Sequence, residues 1–244
     1  MDDVAVAADA ARAAARVLLA LRADGALTGR ALGDAGDAAA QQAIAATLGE
    51  HRPDDVVFSE EAVDDRRRLT ADRVWIVDPL DGTREYGEGR VDWAVHVALW
   101  ADGELSAAAV ALPGLDEVLL TSPAPEVPAR PDGPVRIAVS RTRPPAEATA
   151  VAAALDAELV PLGSAGYKTV AVARGEVDVY VHSGGQYQWD SAAPVAVARA
   201  AGLATCRLDG SPLVYNAPDP YLPDLVVCRP ELADRVRRAL NGAA

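Results

Sequence analysis

The segment from Trp75 to Thr83, with the sequence WIVDPLDGT, constrains the fold more than any other part of this chain. Its apolar first residues are typical of a buried strand, and that strand runs directly into an acidic turn that Pro79 stiffens. Gly82 and Thr83 follow, and they can open a helix whose free backbone N–H groups suit a phosphate. The segment therefore predicts a strand that delivers polar groups at its carboxyl end.

Asp78 and Asp81 lie three residues apart on this turn. Two carboxylates so close repel each other unless a cation lies between them, and Mg²⁺ is the hard divalent ion that best suits such oxygen ligands. The carbonyl group of Leu80 can add a neutral ligand. A D-x-x-D-G run on its own is also typical of an acidic surface turn, so the metal interpretation depends on further features.

Three further features favour a metal site. Glu60 and Glu61 end the preceding predicted strand, Asp190 stands at the start of an alanine-rich helix, and the Thr83 hydroxyl lies beside the paired aspartates. A two-metal phosphoryl hydrolase uses such parts, because one ion activates a water, another stabilises the leaving oxygen, and a hydroxyl orients the nucleophile.

Two other aspartate motifs fit this turn less well. Haloacid-dehalogenase-like phosphatases carry D-x-D-G-T, in which the nucleophilic aspartate lies two residues before the second aspartate. Pro79 occupies that position here, so the nucleophile is missing. The calcium-loop pattern D-x-[DN]-x-[DN]-G also fails, because Asp78 and Asp81 are spaced by three.

The net charge limits the class of partner. With 23 Lys and Arg against 36 Asp and Glu, the chain carries −13, which disfavours nucleic acid polymers and anionic membrane surfaces. A small-molecule phosphate ester attracted through bound cations is the expected partner. We expect a cytoplasmic protein, because Cys206 and Cys228 form no C-x-x-C motif and the sequence predicts neither a signal peptide nor a spanning helix.

The pattern of elements predicts an α/β fold. Alanine-rich helices are predicted over Val4–Ala23, ended by Gly25 and Gly29, and over Asp37–Leu48. Strands follow, among them a hairpin that turns at Asp102 and Gly103. The proline-rich stretch 123–134 predicts the boundary between an α+β half, residues 1–130, and an α/β half, residues 131–244.

The order of Glu60-Glu61, D-P-L-D-G-T and W-D-S-A-A resembles the inositol monophosphatase superfamily of Mg²⁺-dependent, lithium-sensitive phosphatases. The resemblance runs from about Asp37 to the C-terminus. It implies a layered αβαβα sandwich of the inositol monophosphatase and fructose bisphosphatase type, with two or three Mg²⁺ ions between the halves.

Roles follow from the resemblance position by position. It implies a first metal on Glu60, Asp78 and the Leu80 carbonyl. It implies a second metal on Asp78, Asp81 and Asp190, with Glu60 also assisting a third. Thr83 would orient the attacking water with Asp37 as its carboxylate partner, so the catalytic residues are Thr83, Asp37 and Glu60.

Residues outside these motifs point to one branch of the superfamily. Arg84-Glu85-Tyr86 after the D-G-T run resembles the CysQ-type 3'(2'),5'-bisphosphate nucleotidases, and Gly163 to Lys168 resembles their G-S-S-L-K segment with one extra residue. His182 falls near a glutamate that grips inositol hydroxyls in inositol monophosphatases. The expected substrate contacts are Glu60, Leu80, Asp81, Gly82, Thr83, Ser140, Ser164, Lys168 and Asp190.

Two groups of residues are interpreted as structural. His96 lies between two valines of a predicted strand, and we expect a core role for it. Arg66-Arg67-Arg68 follows two aspartates, which favours a solvated loop of mixed charge, with a cover over the active site as the alternative.

The sequence therefore predicts a phosphomonoesterase that removes the 3'-phosphate of adenosine 3',5'-bisphosphate in sulfur assimilation, with the sulfated precursor as a further candidate substrate. A broader inositol phosphate or fructose 1,6-bisphosphate phosphatase is the nearest alternative. A nucleotide-binding sensor without catalysis is a weaker one. The oligomeric state is open, with a homodimer among the candidates.

Overall fold

A five-stranded sheet forms the first part of the molecule in this computed structural model, which describes residues 1–242. Its strands, in spatial order, are β1 (Val56–Ser59), β2 (Arg73–Asp81), β3 (Ala94–Ala101), β4 (Glu104–Leu112) and β5 (Glu117–Leu120). β1 runs parallel to β2, and the other neighbours are antiparallel. The predicted hairpin is confirmed, since Asp102 and Gly103 join β3 to β4 with positive φ angles.

A second five-stranded sheet follows residues 121–135, which form neither helix nor strand. Its strands are β6 (Arg136–Ser140), β7 (Glu158–Leu162), β8 (Val179–Tyr187), β9 (Ala204–Cys206) and β10 (Tyr221–Cys228). The spatial order is β7-β6-β8-β10-β9. β6 runs parallel to both of its neighbours, whereas β10 is antiparallel to β8 and β9.

Seven α-helices lie within residues 1–242, and they form three layers around the sheets. The helices are α1 (Asp3–Asp24), α2 (Gly29–His51), α3 (Thr83–Gly87), α4 (Ala146–Leu155), α5 (Ala165–Ala173), α6 (Ala192–Ala200) and α7 (Ala233–Asn241). α1 and α2 cover one face of the first sheet, and α4 and α7 cover the outer face of the second. α5 and α6 fill the space between the sheets. The predicted αβαβα sandwich is confirmed.

The core between the sheets takes side chains from both of them. Phe58 and Ile76 of the first sheet share one apolar cluster with Tyr180 and Leu225 of the second. The division into residues 1–130 and 131–244 stays a prediction. No helix within residues 1–242 has both the length and the apolar character that crossing a membrane requires.

The start of α2 differs from the prediction. The expectation that Gly29 ends the first helix is wrong, because α1 ends at Asp24 with Gly25 as its C-cap, and α2 already begins at Gly29. Glycines let this extra length of helix pack closely against the acidic turn. A Cβ atom on Gly33 would lie 2.6 Å from the Thr83 methyl group, and one on Gly36 would lie 3.1 Å from Leu80. The first turns of α2 therefore press on the turn that follows β2.

A buried ion cluster joins the three central strands of the second sheet at one end. Asp178 is fully buried at the start of β8, and it accepts hydrogen bonds from the guanidinium groups of Arg136 on β6 and Arg229 after β10. Arg130 of the preceding segment lies 3.6 Å from the same carboxylate. These cations hold the pKa of Asp178 below its usual range against the effect of burial.

We expect Asp178→Ala to lower the free energy of unfolding by about 3–5 kcal/mol, because it leaves the buried Arg229 without a counter-ion. Urea denaturation followed by circular dichroism measures the change. Asp234→Ala is the control, since Asp234 and its partner Arg237 are largely exposed and the loss should stay below about 1 kcal/mol. Equal losses in the two variants would contradict the assignment.

Candidate active site

A bulge at the end of β2 brings the two aspartates of the acidic turn to one side of the first sheet. Alternate strand residues face opposite sides, so a spacing of three would separate them in a regular strand. The register of β2 with β3 shifts between Asp78, which pairs with His96, and Asp81, which pairs with Ala94. One extra residue on β2 therefore returns Asp81 to the side of Asp78.

Asp190 from the second half of the fold completes the acidic cluster. Asp78, Asp81 and Asp190 each offer one carboxylate oxygen, and these three oxygens lie within 4.8 Å of one another. Asp190 ends the short turn between β8 and α6, and its Oδ2 accepts a hydrogen bond of 2.6 Å from the Tyr187 amide. The structure thus brings together three of the predicted metal ligands, whose metal role stays a prediction.

Asp81 also caps the N-terminus of α5. Its Oδ2 accepts hydrogen bonds from the Ser164 hydroxyl and, at 2.5 Å, from the Gly166 amide, while Oδ1 lies 3.2 Å from the Ala165 amide. Ser164 adopts a positive φ of 42° and accepts a hydrogen bond from the Tyr167 amide. The Ser164 hydroxyl proton therefore points to Asp81, and its predicted contact with the substrate stays a prediction.

The predicted nucleophile-orienting pair lies beside this cluster. The Thr83 hydroxyl donates a hydrogen bond of 3.1 Å to the Leu80 carbonyl, and it also lies within hydrogen-bonding reach of the Asp37 carboxylate. A hydroxyl has one proton, so Thr83 donates to only one of these oxygens at a time. Gly82, with a φ of 91°, gives the sharp turn from β2 into α3.

The carboxylates raise one another's pKa values. Partial burial and neighbouring negative charges raise the pKa of Asp37, Glu60 and Asp190 to about 7. Burial and the charges of Asp81, Glu60 and Asp190 raise the pKa of Asp78 well above its usual range. Glu60 lies at the exposed rim of the group.

This donor set fits a divalent cation. Asp78 Oδ2 is buried and has no hydrogen-bond partner among residues 1–242. All the offered ligands are oxygen atoms, as Mg²⁺ prefers, and a bound cation would offset the burial and the repulsion that raise the pKa values.

A cavity of about 410 Å³ opens next to Asp190. Ser140, Lys168, His182 and Asp190 line it, so three of the predicted substrate contacts face one space. Lys168 is buried, its Nζ donates a hydrogen bond of 3.0 Å to the Gly163 carbonyl, and burial lowers its pKa to about 8. Burial and the nearby Lys168 charge lower the pKa of His182 to about 4, so His182 is neutral at pH 7.

His96 and Arg68 are both buried, which agrees with the core position expected for His96 and disagrees with the solvated loop expected for Arg68. His96 is fully buried with its ring beside Asp81 and Trp189, which the strand pattern did not reveal; a histidine at an inward-facing strand position was the available signal. The solvated-loop interpretation is wrong for Arg68, which is 1% exposed. Its guanidinium lies 4.0 Å from the Phe58 ring centre and donates hydrogen bonds to Asn216 and the Ala217 carbonyl.

The sequence profile of the inositol monophosphatase family matches residues 2–241. Together with the five-layer fold and the acidic cluster at the end of β2, this match identifies the class of protein. The chain belongs to the inositol monophosphatase family, as its motifs predict.

The similar proteins within that family include members of the CysQ-type branch. The 3'-phosphoadenosine 5'-phosphate phosphatase of Mycobacterium leprae is 51% identical over 247 residues, which cover 96% of this chain and 91% of that protein. The 3'(2'),5'-bisphosphate nucleotidase CysQ of Escherichia coli is 30% identical, over 77% of this chain and 81% of that protein. The crystal structure of CysQ from Bacteroides thetaiotaomicron superposes with a TM-score of 0.82 at 27% identity, covering 93% of this chain and 97% of that one.

The raised pKa of Asp190 predicts that the substitution Asp190→Asn stabilises the metal-free protein, and that this stabilisation depends on pH. In the unfolded chain the Asp190 carboxyl group has a pKa near 3.8, whereas in the folded protein its pKa is about 7. The charge of Asp190 therefore destabilises the folded state progressively as the pH rises through this window. We expect Asp190→Asn to be more stable than the wild type by on the order of 2 kcal/mol at pH 7.5 and equal to it at pH 4.

Urea denaturation in the presence of a chelator, from pH 4 to pH 8, measures this difference. The two chains share every other titrating group, so the effects of His182 and the remaining carboxylates largely cancel. Asp234→Asn at the exposed surface is the control and should show no such pH dependence. A difference that is constant with pH would contradict the prediction.

Proposed function

We propose that the chain is a Mg²⁺-dependent phosphomonoesterase that hydrolyses adenosine 3',5'-bisphosphate to AMP and phosphate. The observation that carries this proposal is the cluster of Asp78, Asp81 and Asp190, which opens onto a cavity lined by Lys168. The names of the relatives at 51% and 30% identity support the choice of substrate.

Mg²⁺ would be held by Glu60, the Leu80 carbonyl and the three clustered aspartates. When bound, the metal would lower the pKa of a water molecule and compensate the negative charge of the phosphate. Two or three ions are proposed for the site, in keeping with the number of carboxylates there.

Thr83 and Asp37 orient the attacking water in this proposal. The Thr83 hydroxyl can accept a hydrogen bond from the water while it donates its own proton to Asp37. Asp37, with a pKa of about 7, can accept a proton near neutral pH. The water attacks phosphorus in line, the bond from phosphorus to the 3' oxygen breaks, and that oxygen leaves with a proton as the hydroxyl of AMP.

Lys168 favours a substrate with a second phosphate. The Nζ atom of Lys168 is hydrogen-bonded to carbonyl groups of the Gly163–Ser164 turn and forms no ion pair within residues 1–242. Its charge is therefore available to an anion in the cavity. Neutral His182 offers no carboxylate to the hydroxyl groups of a sugar or inositol, and this favours the nucleotide over the broader phosphatase activity.

A role in sulfur assimilation, sensitivity to lithium, a cytoplasmic location and a homodimer belong to the same proposal. So does hydrolysis of the sulfated precursor. They rest on the family resemblance and on the acidic composition of the chain.

Phosphate release from a panel of substrates tests the activity. We expect adenosine 3',5'-bisphosphate to have the highest kcat/KM, ahead of inositol 1-phosphate and fructose 1,6-bisphosphate, and a chelator to abolish turnover. Asp78→Asn should lower kcat/KM by at least about 100-fold, because a lost metal ligand removes several kcal/mol of transition-state stabilisation. Asp234→Asn, far from the cluster, should retain full activity.

Each failure in this panel has its own meaning. Tight binding of the bisphosphate without turnover would show that the chain is a nucleotide-binding sensor and not an enzyme. A kcat/KM for inositol 1-phosphate above that for the bisphosphate would show that the chain is the broader phosphatase and not a nucleotidase. Equal activity of wild type and Asp78→Asn would exclude the proposed site.

Lys168→Met tests the contact with the second phosphate. We expect kcat/KM for adenosine 3',5'-bisphosphate to fall by about 10- to 100-fold, the value of one hydrogen bond to a charged group. For adenosine 3'-monophosphate, which lacks the second phosphate, the change should be small. Arg12→Met on the exposed side of α1 is the control, and an equal loss for both nucleotides would contradict the contact.

A further inference from the structure

His96 is the one histidine of the described chain that is fully buried, and it lies where both halves of the fold meet. It belongs to β3, whose other residues alternate between two apolar clusters. Val95 and Val97 face α1 and α2, so the ring of His96 faces α5 and α6 across the first sheet. An imidazole at such a position costs free energy unless its nitrogen atoms meet polar groups.

The ring lies close to both segments that carry the clustered aspartates, the end of β2 and the turn before α6. Its Nδ1 lies 3.2 Å from the Trp189 carbonyl, which is the peptide group immediately before Asp190. Its Nε2 lies 3.4 Å from Asp81 Oδ2. Asp78 is its cross-strand partner, with 3.9 Å between Asp78 Oδ2 and His96 Nδ1. One ring therefore spans ligands from both sheets.

The first turn of α5 holds this ring in place. A Cβ atom on Gly166 would lie 1.9 Å from His96 Nε2, so the helix backbone and the imidazole are in direct contact. Nε2 is buried and makes no hydrogen bond with any described residue, although Asp81 Oδ2 lies next to it. When the ring proton is on Nδ1 facing the Trp189 carbonyl, the neutral ring presents a lone pair at Nε2, so Nε2 and the Asp81 carboxylate are in packing contact and form no hydrogen bond.

We propose that His96 is a positioning residue that fixes Asp81 relative to Asp190 and thereby sets the affinity of the site for Mg²⁺. The inference rests on the proposed metal-dependent function. A carbonyl oxygen can only accept, so the Nδ1 proton of His96 is directed at the Trp189 peptide and fixes the backbone before Asp190. The Nε2 edge limits the movement of Asp81. Groups that orient metal ligands in this way commonly change metal affinity by 10- to 100-fold, roughly, when they are removed.

Three substitutions separate the two contacts. His96→Leu keeps most of the volume and loses both polar groups. His96→Asn places its amide near Nδ1 and can keep the contact with Trp189. His96→Gln places its amide near Nε2 and can keep the contact with Asp81.

Isothermal titration calorimetry with MgCl₂, in the absence of substrate, gives the decisive readout. We expect Kd for Mg²⁺ to rise by about tenfold or more in His96→Leu, and by a smaller factor in the Asn and Gln variants. In the hydrolysis assay, raising the Mg²⁺ concentration should restore kcat of the Leu variant, while KM for the nucleotide at saturating Mg²⁺ stays within about threefold of wild type.

Val97→Ala is the matched control, because Val97 follows His96 on β3 and faces the opposite, apolar side. Its cavity should lower Tm and leave Kd for Mg²⁺ unchanged. A change in stability alone therefore does not imitate the expected result.

A Kd within twofold of wild type in folded His96→Leu would overturn the proposal, and so would equal Kd values for the Leu, Asn and Gln variants. Should the Leu variant fail to fold, Asn and Gln variants that both match the wild-type Kd would overturn it. Failure of the proposed function gives a different result: wild-type protein then binds Mg²⁺ and releases no phosphate from the substrate panel.

Discussion

The structure depends on one carboxylate that belongs to two substructures at once. Asp81 ends a strand of the first sheet and accepts hydrogen bonds from Ser164, Ala165 and Gly166 at the start of α5, the helix that supports the second sheet. A carboxylate at a helix N-terminus is stabilised by the free N–H groups there. The same oxygen atoms belong to the candidate metal cluster, so the contact that joins the two parts of the fold also forms the site.

The clustered negative charges of the site lower the stability of the metal-free fold. Four acidic groups have raised pKa values, which means that the metal-free fold is destabilised by the residues proposed for catalysis. The net charge of −13 argues against anionic partners only as long as no cation is bound. A divalent ion would change the sign of the local field, and it would favour the folded state and the anionic substrate together.

The sequence predicted the parts of the site that are local and left out those that depend on distant contacts. WIVDPLDGT predicted the strand, the acidic turn and the short helix after it, because composition and spacing determine those elements within a few residues. Asp190 was a candidate because it precedes an alanine-rich helix, but only the family resemblance assigned it to the same metal as Asp78 and Asp81. The early start of α2 and the position of the His96 ring depend on packing between segments far apart in the chain. Arg68 is buried because Asn216 and Ala217, 148 and 149 residues away, accept its hydrogen bonds, and no local pattern carries that information.

The glycines around the site differ in how much space a side chain would have at each of them. On the metal side, α2 and α3 approach so closely that a carbon atom added at Gly33 would collide with Thr83, and one added at Gly36 would make a tight contact with Leu80. On the cavity side, Gly184 and Gly185 have no neighbouring heavy atoms within 4 Å of the position of an added Cβ. Their positive φ angles restrict the backbone, but space does not. A substitution on the cavity side is therefore limited by the backbone conformation of these glycines, whereas one at Gly33 is limited by direct collision with Thr83.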